Sequence, residues 1–166
     1  GVHKLARKVM KDVERVTGKM PECVNDTENA DVIFGTIGKS EILEKFEKDG
    51  KIDLSEIKGK REVYGFFVFE NEIVIAGSDK RGTIYGLFHL SELMGVSPLV
   101  DFCGILPLHK DEIELSENDS VISKEPSVRF RGFFINDEWP AFGNWSKKNF
   151  DGVNAECYEH VFELLL

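Results

Sequence analysis

Val63-Tyr-Gly-Phe-Phe-Val-Phe-Glu-Asn-Glu-Ile-Val-Ile-Ala-Gly-Ser-Asp-Lys-Arg-Gly-Thr-Ile-Tyr-Gly-Leu-Phe-His-Leu-Ser-Glu-Leu-Met94 is the stretch on which the fold turns. Val63 to Glu70 is rich in valine and aromatics, Asn71 can turn, and Glu72 to Ala76 is again β-branched, so the first half predicts a hairpin. From Asp79 to Met94 the apolar positions Ile84, Leu87, Phe88 and Leu93 fall at helical spacing, and Gly95 is placed to stop the helix. Between the two, Gly77 permits a tight exit from the strand and Ser78 or Asp79 can cap. Gly82 and Gly86 would let the helix lie close on the sheet. Lys80 and Arg81 in the first turn oppose the helix dipole and are expected to find partners elsewhere.

Toward the N-terminus the same reading continues. Leu5, Val9, Val13 and Val16 recur at helical spacing from His3 to Thr17, with Gly18 as the stop. Asp31 to Gly35 holds the short apolar run Val32-Ile-Phe34, a buried-strand signal, and Ser40 to Asp49 predicts an amphipathic helix with Ser40 available as N-cap. Helix, strand, helix, hairpin, helix makes an α/β (α+β) layer, a small mixed β-sheet with one apolar face covered by helices. Gly35-Thr-Ile-Gly-Lys-Ser40 invites a phosphate-loop reading. That loop needs a glycine five positions before the Gly-Lys pair, where Ile33 stands, so the reading fails on spacing.

The whole chain has 166 residues, 42% of them hydrophobic, which is enough to build a core. Its formal charge of −9 suits no nucleic-acid backbone. No apolar run approaches the roughly 20 residues that span a bilayer, so neither nucleic acid nor membrane is expected as a partner. Cys23, Cys103 and Cys157 are far apart and odd in number, with no CxxC pair and no histidine at zinc spacing, and are expected to be free thiols. No signal peptide is legible at Gly1-Val2, and localisation stays open.

The stretch from Ser97 to Pro126, with Pro98, Pro107 and Pro126, reads as a connector containing a possible strand at Glu112 to Leu115 and a polar run, Ser116 to Ser120. Val128 to Ile135 is then expected as a strand. After a polar, glycine-bearing stretch, Ala155 to Leu166 is expected as a helix. Strand and helix form one βα unit, and a chain ending on three leucines without a cap is expected to be the front part of a longer protein.

Phe133-Phe-Ile-Asn-Asp-Glu-Trp-Pro140 is the segment that carries chemistry. An apolar strand would deliver Asn136, Asp137 and Glu138 at its C-terminal end, the edge where parallel α/β folds build active sites. Carboxylates serve acid/base work at glycosidic bonds, and tryptophan and asparagine suit sugar faces and hydroxyls. Adjacent residues on a strand point to opposite faces, so Asp137 and Glu138 are not expected to be the two members of one catalytic pair. Read for structure alone, the acids cap the following turn and Trp139 packs at a domain boundary. His89 and His160 have no ligand-spaced neighbour and are expected to pack or sit at the surface. His3 and His109 carry no signal.

Three blocks together resemble the glycoside hydrolases of family 115, the xylan α-glucuronidases: Val32-Ile-Phe-Gly-Thr-Ile-Gly-Lys-Ser40, Ala76-Gly-Ser-Asp-Lys-Arg-Gly-Thr-Ile-Tyr-Gly-Leu87 and Arg131-Gly-Phe-Phe-Ile-Asn-Asp-Glu-Trp-Pro140, with Gly95-Val-Ser-Pro98 after the second. The resemblance implies that residues 1–126 are an N-terminal α/β domain and 127–166 the first βα unit of a (β/α)8 catalytic barrel, incomplete in this chain. It further implies removal of glucuronic or 4-O-methyl-glucuronic acid from xylan side chains, with inversion. By the same likeness Asn136 and Asp137 fall on first-strand active-site positions, with Asp137 the catalytic candidate; Asn136, Glu138 and Trp139 are expected to bind substrate. Leu99-Val-Asp-Phe-Cys-Gly104 departs from the tryptophan-rich stretch the family implies.

The first expectation is therefore the N-terminal part of a glycoside hydrolase, inactive alone, whose partner is xylan or another uronic-acid-bearing polysaccharide. No cofactor and no metal constellation is expected, and a homo-oligomer through the exposed βα unit is an open possibility. The alternatives are a non-catalytic carbohydrate-binding or interaction module using the Trp139 and Trp145 region, or a related glycosidase acting on another glycan.

Overall fold

A computed structural model of the chain describes residues 1–24 and 27–165. They divide into two compact units, Gly1–Ser97 with Leu106–Ser127, and Pro98–Ile105 with Val128–Leu166.

The first unit contains α1 (Val2–Thr17), β1 (Val32–Thr36), α2 (Glu41–Lys48), β2 (Tyr64–Val68), β3 (Ile73–Gly77), α3 (Lys80–Met94) and the two-residue β4 (Val121–Ile122). The sheet order is β1-β3-β2-β4. β1 runs parallel to β3 with Ile33 opposite Val74, and β2 is antiparallel to β3 with Phe66 opposite Ile75. The pattern predicted one covered face; both are covered. Val74 and Ala76 pack with Leu43 of α2 and with Ile52, Leu54 and Ile57 of the following loop. Ile75, one residue out of phase, meets α3 at Gly86. An uninterrupted buried run in β3 is what a strand covered on both sides requires.

α3 lies close on the sheet because its contact positions are glycines. A Cβ on Gly82 would overlap the Val63 carbonyl, and one on Gly77 would overlap the Thr83 backbone nitrogen. Asp79 is the N-cap, one carboxylate oxygen accepting from Gly82 N at 2.8 Å and the other from Glu62 N at 2.9 Å. Arg81 finds its partner in Glu62, whose buried carboxylate it meets at 2.9 Å. α1 packs along α3 through the buried Asp12, which accepts from Ser91 Oγ at 2.8 Å and from Arg15 at 2.9 Å.

The connector corrects a prediction. Residues 112–115 are not a strand; β4 at Val121–Ile122 takes the free edge of β2 instead. Serines carry the attachment: Tyr64 N donates to Ser123 Oγ at 2.9 Å and Val68 N to Ser120 Oγ at 2.9 Å. Hydroxyls thus satisfy an edge that a short strand leaves unpaired. The polar run before it closes a capping box between Ser116 and Asp119. Ser40 does occupy the N-cap position of α2, but its side chain makes no capping bond.

The second unit contains α4 (Val100–Cys103), α5 (Ala141–Phe150) and α6 (Ala155–Glu163), with residues 130–138 neither helical nor in a ladder. The strand predicted at Val128 to Ile135 is therefore not formed among the described residues. A strand exists by exchanging backbone hydrogen bonds with a neighbour, and no ladder partner lies beside this segment. The polar, glycine-bearing stretch that gave no helical signal holds α5. Phe142 and Trp145, at helical spacing, stack with ring centroids 5.6 Å apart. α6 begins at Asn154, whose side chain accepts from Cys157 N at 3.0 Å, and buries Cys157 and Val161. Leu166, the last residue of the predicted helix, lies outside the described residues.

Candidate active site

Asn136, Asp137, Glu138 and Trp139 stand in succession at the end of the extended segment, and all four are exposed. Turn hydrogen bonds hold the exit. Gly143 N donates to Glu138 O at 3.2 Å, and Asn144 N to Pro140 O at 3.2 Å. The Trp139–Pro140 peptide bond is cis. Trp139 leaves 64% of its surface to solvent. Its indole also lies against Gly143, where a Cβ would come within 2.8 Å of the ring.

Of the two acids, Asp137 makes a long-range contact. The Tyr158 hydroxyl of α6 donates to Asp137 Oδ2 at 2.8 Å. The tyrosine ring meets two others, its centroid 5.9 Å from that of Phe142 and 5.8 Å from that of Phe162. The hydrogen bond it donates to Asp137 raises the Tyr158 phenol above its usual value, with burial and the neighbouring negative charge adding to it. Sequence reasoning missed Tyr158. Its only signal was an aromatic at helical spacing from Phe162, which reads as ordinary packing.

Trp145 has a different environment. Its ring stacks on Phe102 at 4.7 Å and 16° and meets Phe150 at 5.2 Å. Such a ring is already occupied as packing, so Trp145 does not join Trp139 as an open sugar platform.

His160 lies in a second cluster. Its Nδ1 lies 3.0 Å from Asp101 Oδ2, and Glu163 is one helical turn further along α6. Ligand-type atoms of the three fall within 4.8 Å of one another. Asp101, 59 residues earlier in the chain, could not be read as a neighbour from spacing. One imidazole and two carboxylates suit a borderline divalent cation such as zinc. The short histidine–aspartate hydrogen bond by itself accounts for the grouping, tying α4 to α6.

The glycine-rich segment after β1 holds no phosphate cradle. Its amides are used internally, Ile37 N donating to Gly77 O at 2.9 Å and Lys39 N to Thr36 O at 3.0 Å. His89 packs against the rings of Tyr64 and Phe66, 5.6 and 5.2 Å away.

Residues 123–166 match the family model described as glycosyl hydrolase family 115. Among solved structures, the chain is similar to a family GH115 4-O-methyl-α-glucuronidase with specificity for decorated arabinogalactans. The two are 32% identical, with a TM-score of 0.83 over 99% of this chain and 22% of that one. This chain therefore spans about a fifth of the length of that structure.

Proposed function

We propose, from the premise that this chain belongs to glycosyl hydrolase family 115, that it forms the front of an enzyme removing glucuronic or 4-O-methyl-glucuronic acid from polysaccharide side chains. Residues 1–126 are its leading domain. Residues 127–166 are the first βα unit of a barrel that further polypeptide completes. Xylan is the substrate the sequence resemblance implies. A solved relative acts on decorated arabinogalactans, which makes the backbone glycan the open variable and the uronic acid the constant one.

The observation that carries this reading is the exposed Asp137 carboxylate at the end of an apolar segment, held from one side by the Tyr158 hydroxyl at 2.8 Å. With one oxygen already held by the Tyr158 hydroxyl, Asp137 serves to orient the attacking water, and the proton donor is a different carboxyl. Inversion sets the two about 6.5–9.5 Å apart with the water between. Glu138 is the next residue in the chain and contacts substrate instead, with Asn136 for hydroxyls and Trp139 for a sugar face. Among the described residues Asp137 and its neighbour Glu138 face no opposing carboxyl that the proposal can name, so the segment alone is expected to be inactive.

The experiment is uronic-acid release from glucuronoxylan and from glucuronate-decorated arabinogalactan, measured for this segment, the complete protein and its Asp137→Asn variant. The expected result is release by the complete protein only, falling by on the order of 10²-fold or more in the variant. Release by the segment, or an unaffected variant, overturns the reading. The exposed Trp139 keeps one alternative in play, a non-catalytic sugar-binding module. Retention of the segment on xylan, lost in Trp139→Ala, together with no hydrolysis by the complete protein, would establish it.

A further inference from the structure

We infer that Tyr158 is the positioning residue for Asp137: its hydroxyl holds Oδ2 and leaves Oδ1 as the oxygen that faces water or sugar. This rests on the proposed role of Asp137 and adds a residue from a different element to the same site.

Three observations lead to it. The segment carrying Asp137 has no backbone ladder of its own among the described residues, so the main chain gives the carboxylate little orientation. The contact comes instead from a helix whose place is well determined. Asn154 caps it, Cys157 and Val161 are buried, and the Tyr158 ring meets Phe142 and Phe162. The hydroxyl is thus a fixed point, and its 2.8 Å separation from Oδ2 is that of a charge-assisted bond.

The chemistry follows from the direction of the bond. A phenol donating to a carboxylate oxygen selects one rotamer of the acid. It also occupies one of the two oxygens, so a water or hydroxyl approaching the site is received by the other. The reciprocal effect on the phenol, raised by its acidic neighbour, keeps Tyr158 a neutral donor through the range in which a glycosidase works. Phenylalanine reproduces the ring packing and lacks only the donor, which makes Tyr158→Phe a clean removal of the contact.

The test uses the complete glucuronidase carrying this segment, as wild type, Tyr158→Phe, Asp137→Asn and the double variant. Removing the donor is expected to lower kcat on the order of tenfold with KM little changed. The double variant should be no worse than Asp137→Asn, since Tyr158 acts only through Asp137. In this segment, ultraviolet titration of the tyrosines should show the Tyr158 phenol returning toward its ordinary value in Asp137→Asn. If Asp137→Asn abolishes activity while Tyr158→Phe leaves kcat in place, the positioning role is wrong and the proposed function stands. If Asp137→Asn itself leaves activity intact, the proposed function falls first. Losses that multiply in the double variant would assign Tyr158 an independent role and overturn the inference.

Discussion

Unit Gly1–Ser97 with Leu106–Ser127 and unit Pro98–Ile105 with Val128–Leu166 differ in what becomes of the apolar residues that read as strands. In the first, Phe66, Leu43, Leu54, Ile57, Ile75 and Met94 are sealed, and the glycines under α3 bring backbone against backbone. In the second, Phe130 and Phe134 are 87% and 91% exposed, although their sequence pattern is that of a strand. One unit supplies both sides of its own core. The other supplies an apolar segment that joins no ladder among the described residues, and a chain without ladder partners can neither pair its amides nor cover its side chains. The difference separates a region whose stability is local from one whose function, as proposed, depends on polypeptide beyond it.

The strongest way to break this comparison is at the α3 contact. Gly82→Ala should destabilise the first unit by more than about 4 kcal/mol, or prevent folding, because the clash is with main chain that cannot move aside. Urea unfolding measures it, and a small effect would show that the helix is held less closely than its glycines imply. Phe66→Ala, which empties a fully buried site, should cost about 3–5 kcal/mol by the same measurement. In the second unit the expected sign differs. Phe134→Ser should change the stability of this chain by no more than about 0.5 kcal/mol while reducing apolar-dye binding and self-association. In the complete protein the same change should cost roughly 2 kcal/mol or more, through lost burial. Equal effects in both forms would remove the distinction between the units.

The smallest expected effect is a pH dependence confined to the first unit. Burial, and secondarily Glu92, raises the Tyr64 phenol above its ordinary value of 10.0. Below that pH both folded and unfolded chains hold the proton, and the contribution is fully present. As pH rises from 10.0 through the raised folded value, the unfolded chain releases the proton first, and stability is lost. Tyr64→Phe should flatten that alkaline loss, as read from denaturant midpoints between neutral and strongly alkaline pH.

Legibility followed the same division. Helices α1, α2 and α3 and strands β1 to β3 were readable because each has a strong local period, a glycine stop and a neighbour elsewhere in the same unit. The edge strand was misplaced by several residues, since Ser120 and Ser123 fix it through hydroxyls bonded to β2, a signal with no periodicity. α5 was missed because Gly143, Asn144 and Ser146 mask the spacing of Phe142 and Trp145. The candidate site was legible as a run of residue types, Asn136 to Trp139. Its organisation was not: Tyr158 lies 21 residues further along the chain, and nothing in the spacing pairs it with Asp137.

From the sequence alone came the mixed sheet with its helices, the absence of features suited to nucleic acid, and the short motif at which a carboxylate is presented. All are set by local periodicity, turn chemistry and residue type. Only the tertiary structure decided that both sheet faces are covered, that Trp145 is spent in an aromatic stack and that Asp137 is gripped by a phenol. These depend on which side chains meet across long stretches of chain, and meetings of that kind are governed by packing and hydrogen-bond geometry that no local pattern encodes.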